Sequence, residues 1–283
     1  MTDSTPRTGE HPVPGRTRGA LDAVLRRTRR PRVALTFAVY SALAPLAFAS
    51  FWVLYVLGPH ERVRRARRMQ RICAGAFRFM HGALSRLAIL RFDRRAGFGP
   101  GVLPAGPCVV VANHPSRMDI SSITAVLGGG CTVVKPAFFR KRSLRALMDG
   151  CWHIEGPGDN PLATGRVVDE AVERLRHGFS VIIFPEGTRT PASGLLPFGR
   201  TAFEIACRAK VPVVSVAVRC DPPWMTKETP MFAPPHPVPR LRLVQLATDA
   251  PASVDFESRA LRQRVEARFQ LWLQGARTSR EGT

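Results

Sequence analysis

Lysine is scarce in this chain: Lys135, Lys141, Lys210 and Lys227 are the only four among 42 basic residues, so the positive charge is almost wholly arginine. Acidic residues are few as well, 21 in 283, and the formal net charge is +21. That imbalance excludes a strongly cationic partner and points to anionic ones, namely lipid headgroups, phosphorylated ligands or acidic proteins. Nucleic acid is also anionic, but the chain lacks the aromatic–basic interleaving and the motifs of nucleic-acid binders, so no nucleic-acid partner is expected. The six cysteines form no CxxC pair and no cysteine–histidine constellation. This excludes a zinc-finger site and a disulfide framework, and leaves buried thiols in a reducing compartment. With 45% apolar and only 22% charged residues, wholesale disorder is excluded too, and the length fits one large domain with an appendage.

The charge is unevenly placed. Residues 1–98 hold 19 basic and 5 acidic residues, while residues 99–283 hold 23 and 16. Residues 1–32 are polar and rich in Pro, Gly, Thr and Arg without any apolar period, which predicts a disordered basic tail. Residues 33–58 carry no charge at all. At about 1.5 Å per residue, some 25 helical residues reach roughly 38 Å, more than a hydrocarbon core of about 30 Å. Arginines crowd both flanks, from Arg26 to Arg32 and from Arg62 to Arg71, and Pro45 falls mid-segment. Two arrangements therefore stay open: a simple span, or a re-entrant hairpin that keeps both flanks on one side. Residues 59–98 read as a basic amphipathic region, with Met69, Ile72, Cys73, Phe77, Met80 and Leu84 at helical spacing. Such a helix lies on a membrane surface, packs on the following domain, or does both.

Residues 99–275 alternate β-branched runs (Cys108–Ala112, Cys131–Lys135, Ser180–Phe184, Val213–Val218, Leu241–Leu246) with helical patterns at Leu162–His177, Thr201–Ala209 and Ser253–Gln274. This alternation predicts an α/β fold, a mixed sheet flanked by helices, followed by a short tail over residues 276–283.

Two loops carry the chemistry. Asn113-His114-Pro115-Ser116-Arg117-Met118-Asp119 follows the first strand directly, where α/β sheets place their sites. A helix starting near Ser116 puts Asp119 on its first turn, within reach of the His114 imidazole. A carboxylate on Nδ1 fixes the tautomer and leaves Nε2 free to take a hydroxyl proton. Phe184-Pro185-Glu186-Gly187-Thr188-Arg189 follows another apolar strand and adds a guanidinium fork suited to phosphate or carboxylate. His153 has no such partner and is expected to be structural, and His60, His81 and His177 have no constellation in the sequence.

In this order and spacing the two loops, NHxxxxD and FPEGTR, resemble the signature blocks of the 1-acyl-sn-glycerol-3-phosphate (lysophospholipid) acyltransferase family, and Val211–Val218 is similar to a third block. The resemblance covers roughly residues 75–230. It implies a glycerolipid acyltransferase-like fold and acyl transfer from acyl-CoA or acyl-carrier protein to a hydroxyl of a lysolipid acceptor. It further implies no metal and no cofactor beyond that thioester carrier, and a place among membrane lipids on the cytoplasmic face of the inner membrane. By the same resemblance His114 is the base and Asp119 its orienting partner. Glu186, Gly187, Thr188 and Arg189 then shape the acceptor or oxyanion site; Asn113 and Arg117 of the first loop, with Arg200 and Lys135 as compensating cations, complete the expected substrate contacts. The chain departs from the family pattern at Gly150-Cys151-Trp152-His153-Ile154-Glu155-Gly156, where Gly156 replaces an arginine, and at Gly199, where a lysine is usual. Those losses, and a Cys220–Lys227 segment similar to a subgroup found with specialised-lipid and aryl-polyene pathways, keep a non-glycerophosphate acceptor open. A catalytically weak lipid-binding homologue is the remaining alternative.

Overall fold

The computed structural model describes residues 23–24, 26–93, 97–99, 102–158 and 160–281. The predicted disordered tail lies outside the described residues up to residue 22. Its last part is ordered, because helix α1 (Arg29–Val56) starts four residues before the uncharged segment. The guanidinium of Arg32 donates to the Leu87 carbonyl at 2.6 Å and that of Arg29 to the Ile89 carbonyl at 3.4 Å, which ties down this helix end.

α1 is one uninterrupted helix with Pro45 inside it. A hairpin folded within residues 33–58 is therefore not formed. Pro45 is exposed, and removing one i→i−4 hydrogen bond there leaves the helix continuous. The chain reverses only after Leu57, and α2 (Arg62–Arg86) returns antiparallel. At one end the Arg29 and Arg32 bonds join the pair, and at the other the Arg65 guanidinium sits 4.8 Å from the centre of the Tyr55 ring. α1 also touches the following domain along its length. Val33 is buried, Phe37 meets Trp224 and Phe232 edge-on, and Phe51 and Tyr55 pack on Met69, Cys73 and Cys151.

Seven strands form a mixed sheet in the order β1-β7-β6-β2-β5-β3-β4. They are β1 (Arg91–Asp93), β2 (Val109–Ala112), β3 (Cys131–Val134), β4 (Ile154–Glu155), β5 (Val181–Ile183), β6 (Val213–Asp221) and β7 (Arg240–Asp249). Neighbours run parallel except β6 and β7, which are antiparallel. β2 is central and buried on both faces, which is why it reads as an unbroken apolar run. Its side chains alternate between two cores. Val109 and Val111 face α6 (Thr164–Arg176), α7 (Thr201–Ala209) and α8 (Ser258–Glu281), packing with Val167, Phe203 and Phe269. Val110 and Ala112 face α1, α2 and α3 (Asp119–Leu127), packing with Val33, Leu84 and Ile123. Two shorter helices, α4 (Pro136–Phe139) and α5 (Arg142–Gly150), connect β3 to β4.

β1 and β4 escape the sequence reading because two or three residues at a sheet edge show no period. α8 begins at Ser258, after a 3-10 turn at Pro251–Val254, and continues to Glu281 through the residues expected as a tail.

Candidate active site

The register of β2 on β5 pairs Val111 with Ile183, so the two loops that follow these strands emerge side by side at the carboxyl edge of the sheet. The His114 ring stacks on Phe184, with centroids 4.3 Å apart at 22°. Its Nδ1 lies 2.8 Å from Oδ2 of Asp119. Asp119 is fully buried and opens α3, where the helix dipole favours a carboxylate. The same Oδ2 accepts the Ser116 N–H at 2.7 Å, and Oδ1 accepts the Ser116 hydroxyl. Burial pushes the Asp119 carboxyl above its ordinary range, while His114 and Ser116 pull it back. The charged form is thus held mainly by the groups it orients. With Nδ1–H donated to Asp119, the His114 lone pair is on Nε2, and the side chain remains 22% exposed.

Ser116 was not singled out by sequence, although Ser-x-x-Asp ahead of a helix is a capping-box signal. Here Ser116 Oγ accepts the Met118 N–H at 3.1 Å while Asp119 reaches back to the Ser116 N–H. The helix consequently starts at Asp119 itself. Thr190 was missed as well. Its Oγ1 accepts the His114 N–H at 2.9 Å and its N–H donates to the His114 carbonyl at 2.8 Å, which laces the two loops together.

Two of the expected substrate contacts turn into the fold. Asn113 is 1% exposed, and its amide donates to the Val218 carbonyl at 3.0 Å and accepts the Val218 N–H at 2.7 Å. It extends the β2–β6 ladder, and its second amide N–H is buried with the rest of the side chain. The Glu186 carboxylate is buried, accepting from the Thr190 hydroxyl, the Leu196 N–H at 3.0 Å and the His114 N–H at 3.3 Å. It braces the backbone that carries His114.

Arg189 is half-buried, and its Nη1 donates to the carbonyls of Thr226 at 2.6 Å and Met225 at 3.4 Å. The Arg117 N–H reaches the same Met225 carbonyl at 3.2 Å. The segment after β6 therefore fixes both site loops, and Trp224 links it back to Phe37 of α1. Among the described residues, Nε and Nη2 of Arg189 make no hydrogen bond. Gly187 holds a φ of +67°, a conformation that glycine adopts without strain. Arg117, Lys135 and Arg200 are exposed and Thr188 is half-buried. Lys135 follows β3 at the same sheet edge, and Arg200 immediately precedes α7.

At both departures from the family pattern the backbone is crowded. A Cβ at Gly156 would lie 3.2 Å from the Val134 carbonyl oxygen, and one at Gly199 would lie 3.3 Å from that of Pro185. Both glycines accept a close backbone approach, since their N–H groups bond those same carbonyls at 2.8 Å.

His153 is structural in this geometry: its Nδ1 accepts the Thr132 N–H at 3.1 Å, and burial holds its imidazole down to about 4. His81 does have a constellation, stacked on Phe92 at 3.8 Å with Nε2 3.0 Å from the Ser121 hydroxyl, and it locks α2 onto α3. The six cysteines are all buried and free. Among the described residues, no three His, Cys, Asp or Glu cluster as metal ligands.

Residues 98–219 match the model of the Acyltransferase family. The chain is 31% identical over 169 residues to 1-acyl-sn-glycerol-3-phosphate acyltransferase beta of Homo sapiens, covering 56% of this chain and 59% of that protein. It is 33% identical over 122 residues to the 1-acyl-sn-glycerol-3-phosphate acyltransferase of Saccharomyces cerevisiae, covering 40% of this chain and 38% of that one. The chain thus spans little more than half the length of the human relative. Its fold is similar to the crystal structure of PlsC, the 1-acyl-sn-glycerophosphate acyltransferase of Thermotoga maritima, with a TM-score of 0.63 at 20% identity over 89% of this chain and 98% of that one. Both site loops, and the β2–β5 pairing that sets them side by side, fall within the residues matched by the Acyltransferase model, and it is in this region that the chain is similar to the 1-acyl-sn-glycerol-3-phosphate acyltransferases.

Proposed function

We propose that this chain is a membrane-associated O-acyltransferase. It moves an acyl chain from a thioester, acyl-CoA or acyl-carrier protein, to a hydroxyl of a lysophospholipid such as 1-acyl-glycerol 3-phosphate. The observation that carries the reading is the 2.8 Å contact of His114 Nδ1 with the buried Asp119 carboxylate, which leaves Nε2 as the base. The acceptor oxygen attacks the thioester carbonyl while its proton passes to Nε2, and Asp119 stabilises the imidazolium. The tetrahedral intermediate then collapses, the C–S bond breaks, and the leaving thiolate takes the proton back from Nε2. The acceptor's own hydroxyl is the nucleophile, so no covalent acyl-enzyme is required. Glu186 and Thr190 hold the His114 backbone, and the free edge of Arg189 is positioned for an anionic group on the acceptor.

The membrane reading rests on α1, which is long and apolar enough by composition to cross a bilayer and whose apolar window is not buried. Its outer face exposes Leu35 at 65% and Leu46 at 66%, while its inner face packs on the domain at both ends. A helix held this way lies along the bilayer surface with its outer face in the acyl region. The exposed arginines near its two ends, Arg27, Arg30 and Arg68 among them, then meet anionic headgroups of the cytoplasmic leaflet, each contributing about 1 kcal/mol.

For the acceptor, Gly156 and Gly199 support a headgroup less charged than, or shaped differently from, that of lysophosphatidate. Each missing charged hydrogen bond removes on the order of 1.5–3 kcal/mol. Arg200 and Lys135 stand nearby as partial replacements.

The test is incubation of the full-length protein in membranes with a labelled acyl thioester and a panel of lysolipids, followed by lipid analysis. A labelled diacyl product that requires added acceptor is expected. Thioester hydrolysis alone, or no turnover with any acceptor, would overturn the proposal.

A further inference from the structure

The β4 edge of the sheet carries a polar cavity of about 320 Å³ that the His114 chemistry does not use. β2, β5, β3 and β4 are successive neighbours, so the cavity lies about 14 Å from the β2 loop across the sheet. Five guanidiniums and three carboxylates line it, leaving an excess of positive charge. Most of these charges are matched. Arg145 holds Asp149 at 3.0 Å, Arg166 holds Glu170 at 2.7 Å, and Arg174 holds Glu170 at 3.0 Å.

Three lining groups have no charged partner, although the Arg62 guanidinium lies over the Trp152 ring, 5.3 Å from its centre. Among the described residues, neither Arg62 of α2 nor Arg140 after α4 makes an ion pair, and neither does Glu155 of β4. His153 also lines the cavity. Because its Nδ1 accepts the Thr132 N–H, its proton is on Nε2, and it enters the cavity wall as a hydrogen-bond donor. Phe139, half-buried, adds an aromatic ring to the wall.

These leftovers specify a ligand. Two guanidiniums without a carboxylate partner, one of them held over the Trp152 ring, and a histidine donor suit a phosphate monoester, which carries close to two negative charges at neutral pH. An unmatched carboxylate suits an amino donor on the same molecule, and an aromatic wall suits a flat ring. We propose that this cavity is a second binding site, taking a purine nucleoside phosphate, with the phosphate on Arg62 and Arg140, the base against Phe139 and its amino group on Glu155. Two sources share that chemistry: a free nucleotide, and the nucleotide end of a coenzyme A thioester reaching the His114 site by a flexible arm. The second source rests on the acyltransferase reading above, whereas binding at the cavity does not.

Binding is measured first, by titrating detergent-solubilised full-length protein with adenosine 3′,5′-bisphosphate, adenosine and inorganic phosphate. Saturable binding of the bisphosphate is expected, at least tenfold tighter than either fragment. Arg62→Ala/Arg140→Ala should weaken it tenfold or more, Arg140→Glu alone should weaken it as well, and Glu155→Gln should weaken it while leaving phosphate binding unchanged. Kinetics then separate the sources. If the nucleotide is the donor's, Arg140→Glu raises KM for acyl-CoA several-fold and leaves KM for the corresponding acyl-pantetheine unchanged. If it is free, both KM values stay as in wild type while bisphosphate binding is lost. The proposal is overturned if wild type does not bind the bisphosphate, or if the arginine variants bind it as tightly. Preferential binding of 1-acyl-glycerol 3-phosphate at this cavity would likewise overturn it.

Discussion

The two loops differ in how their residues act, and the differences are measurable. His114 and Asp119 were legible because a strand end, a histidine and a carboxylate at that spacing imply one geometry. That Asn113 and Glu186 engage the backbone was not legible, because sequence shows a polar side chain but not which way it turns. Both turn inward, so their loss should appear as stability. Asn113→Ala leaves the Val218 backbone groups unpaired and should cost about 1–3 kcal/mol by denaturant melting, with KM little changed. A rise in KM at unchanged stability would restore Asn113 to the binding site. Ser215 is the converse case. Its hydroxyl is buried and, among the described residues, makes no hydrogen bond, next to the β6–β7 register shift between Ser215 and Val216. Ser215→Ala should therefore leave stability unchanged or raise it by about 1 kcal/mol, and a marked loss would reveal a hidden partner. His153 gives a pH signature. Its imidazole titrates at about 4 in the fold against 6.5 when exposed, so on acidification the unfolded chain binds the proton first. Stability should fall as pH drops through that window, by up to about 3 kcal/mol. In thermal melts at pH 7 and pH 5, His153→Asn should show a smaller drop in Tm than wild type, and an equal drop would refute the assignment.

At the scale of elements, the sequence separated strands from helices wherever an element was long enough to show its period. β2 and β5 were evident as buried apolar runs, and α6, α7 and α8 as apolar stripes. What failed was short or set by tertiary contact. β4 is two residues long, and α1 starts early because Arg29 and Arg32 find carbonyls on another element, some 55–60 residues away. The uncharged segment was recognised, but not that one side of it would be taken up by the domain. This gives the helix two distinguishable faces. Substituting Leu35, Leu43 and Leu46 together by Gln should leave the melting temperature within a few degrees and sharply reduce partition onto anionic vesicles. Phe37→Ala, on the inner face, should instead lower stability, by less than the about 3–5 kcal/mol of a fully buried ring because Phe37 is half-buried. Equal effects of the two changes on vesicle binding would contradict the in-plane orientation.

At the scale of the whole molecule, the site is where three layers meet. The sheet sets the β2 and β5 loops side by side, the segment after β6 clamps Arg117 and Arg189, and Phe37 of α1 leans on that segment through Trp224. The apolar helix α1 and the site are thus parts of one packed unit, with the basic pole and the apolar face on the same N-terminal helix pair. This arrangement was not readable from sequence, because the residues from 222 to 232 show no period and acquire their role only from what they touch. The central claim is that His114 is the base of an acyl transfer. Its most direct test is the single-turnover rate of acyl transfer from a labelled thioester to a lysolipid, comparing wild type with His114→Ala under saturating substrates. The expected result is a loss of about 10²–10⁴-fold with unchanged melting temperature and vesicle binding. Retention of more than about a tenth of the wild-type rate would contradict it.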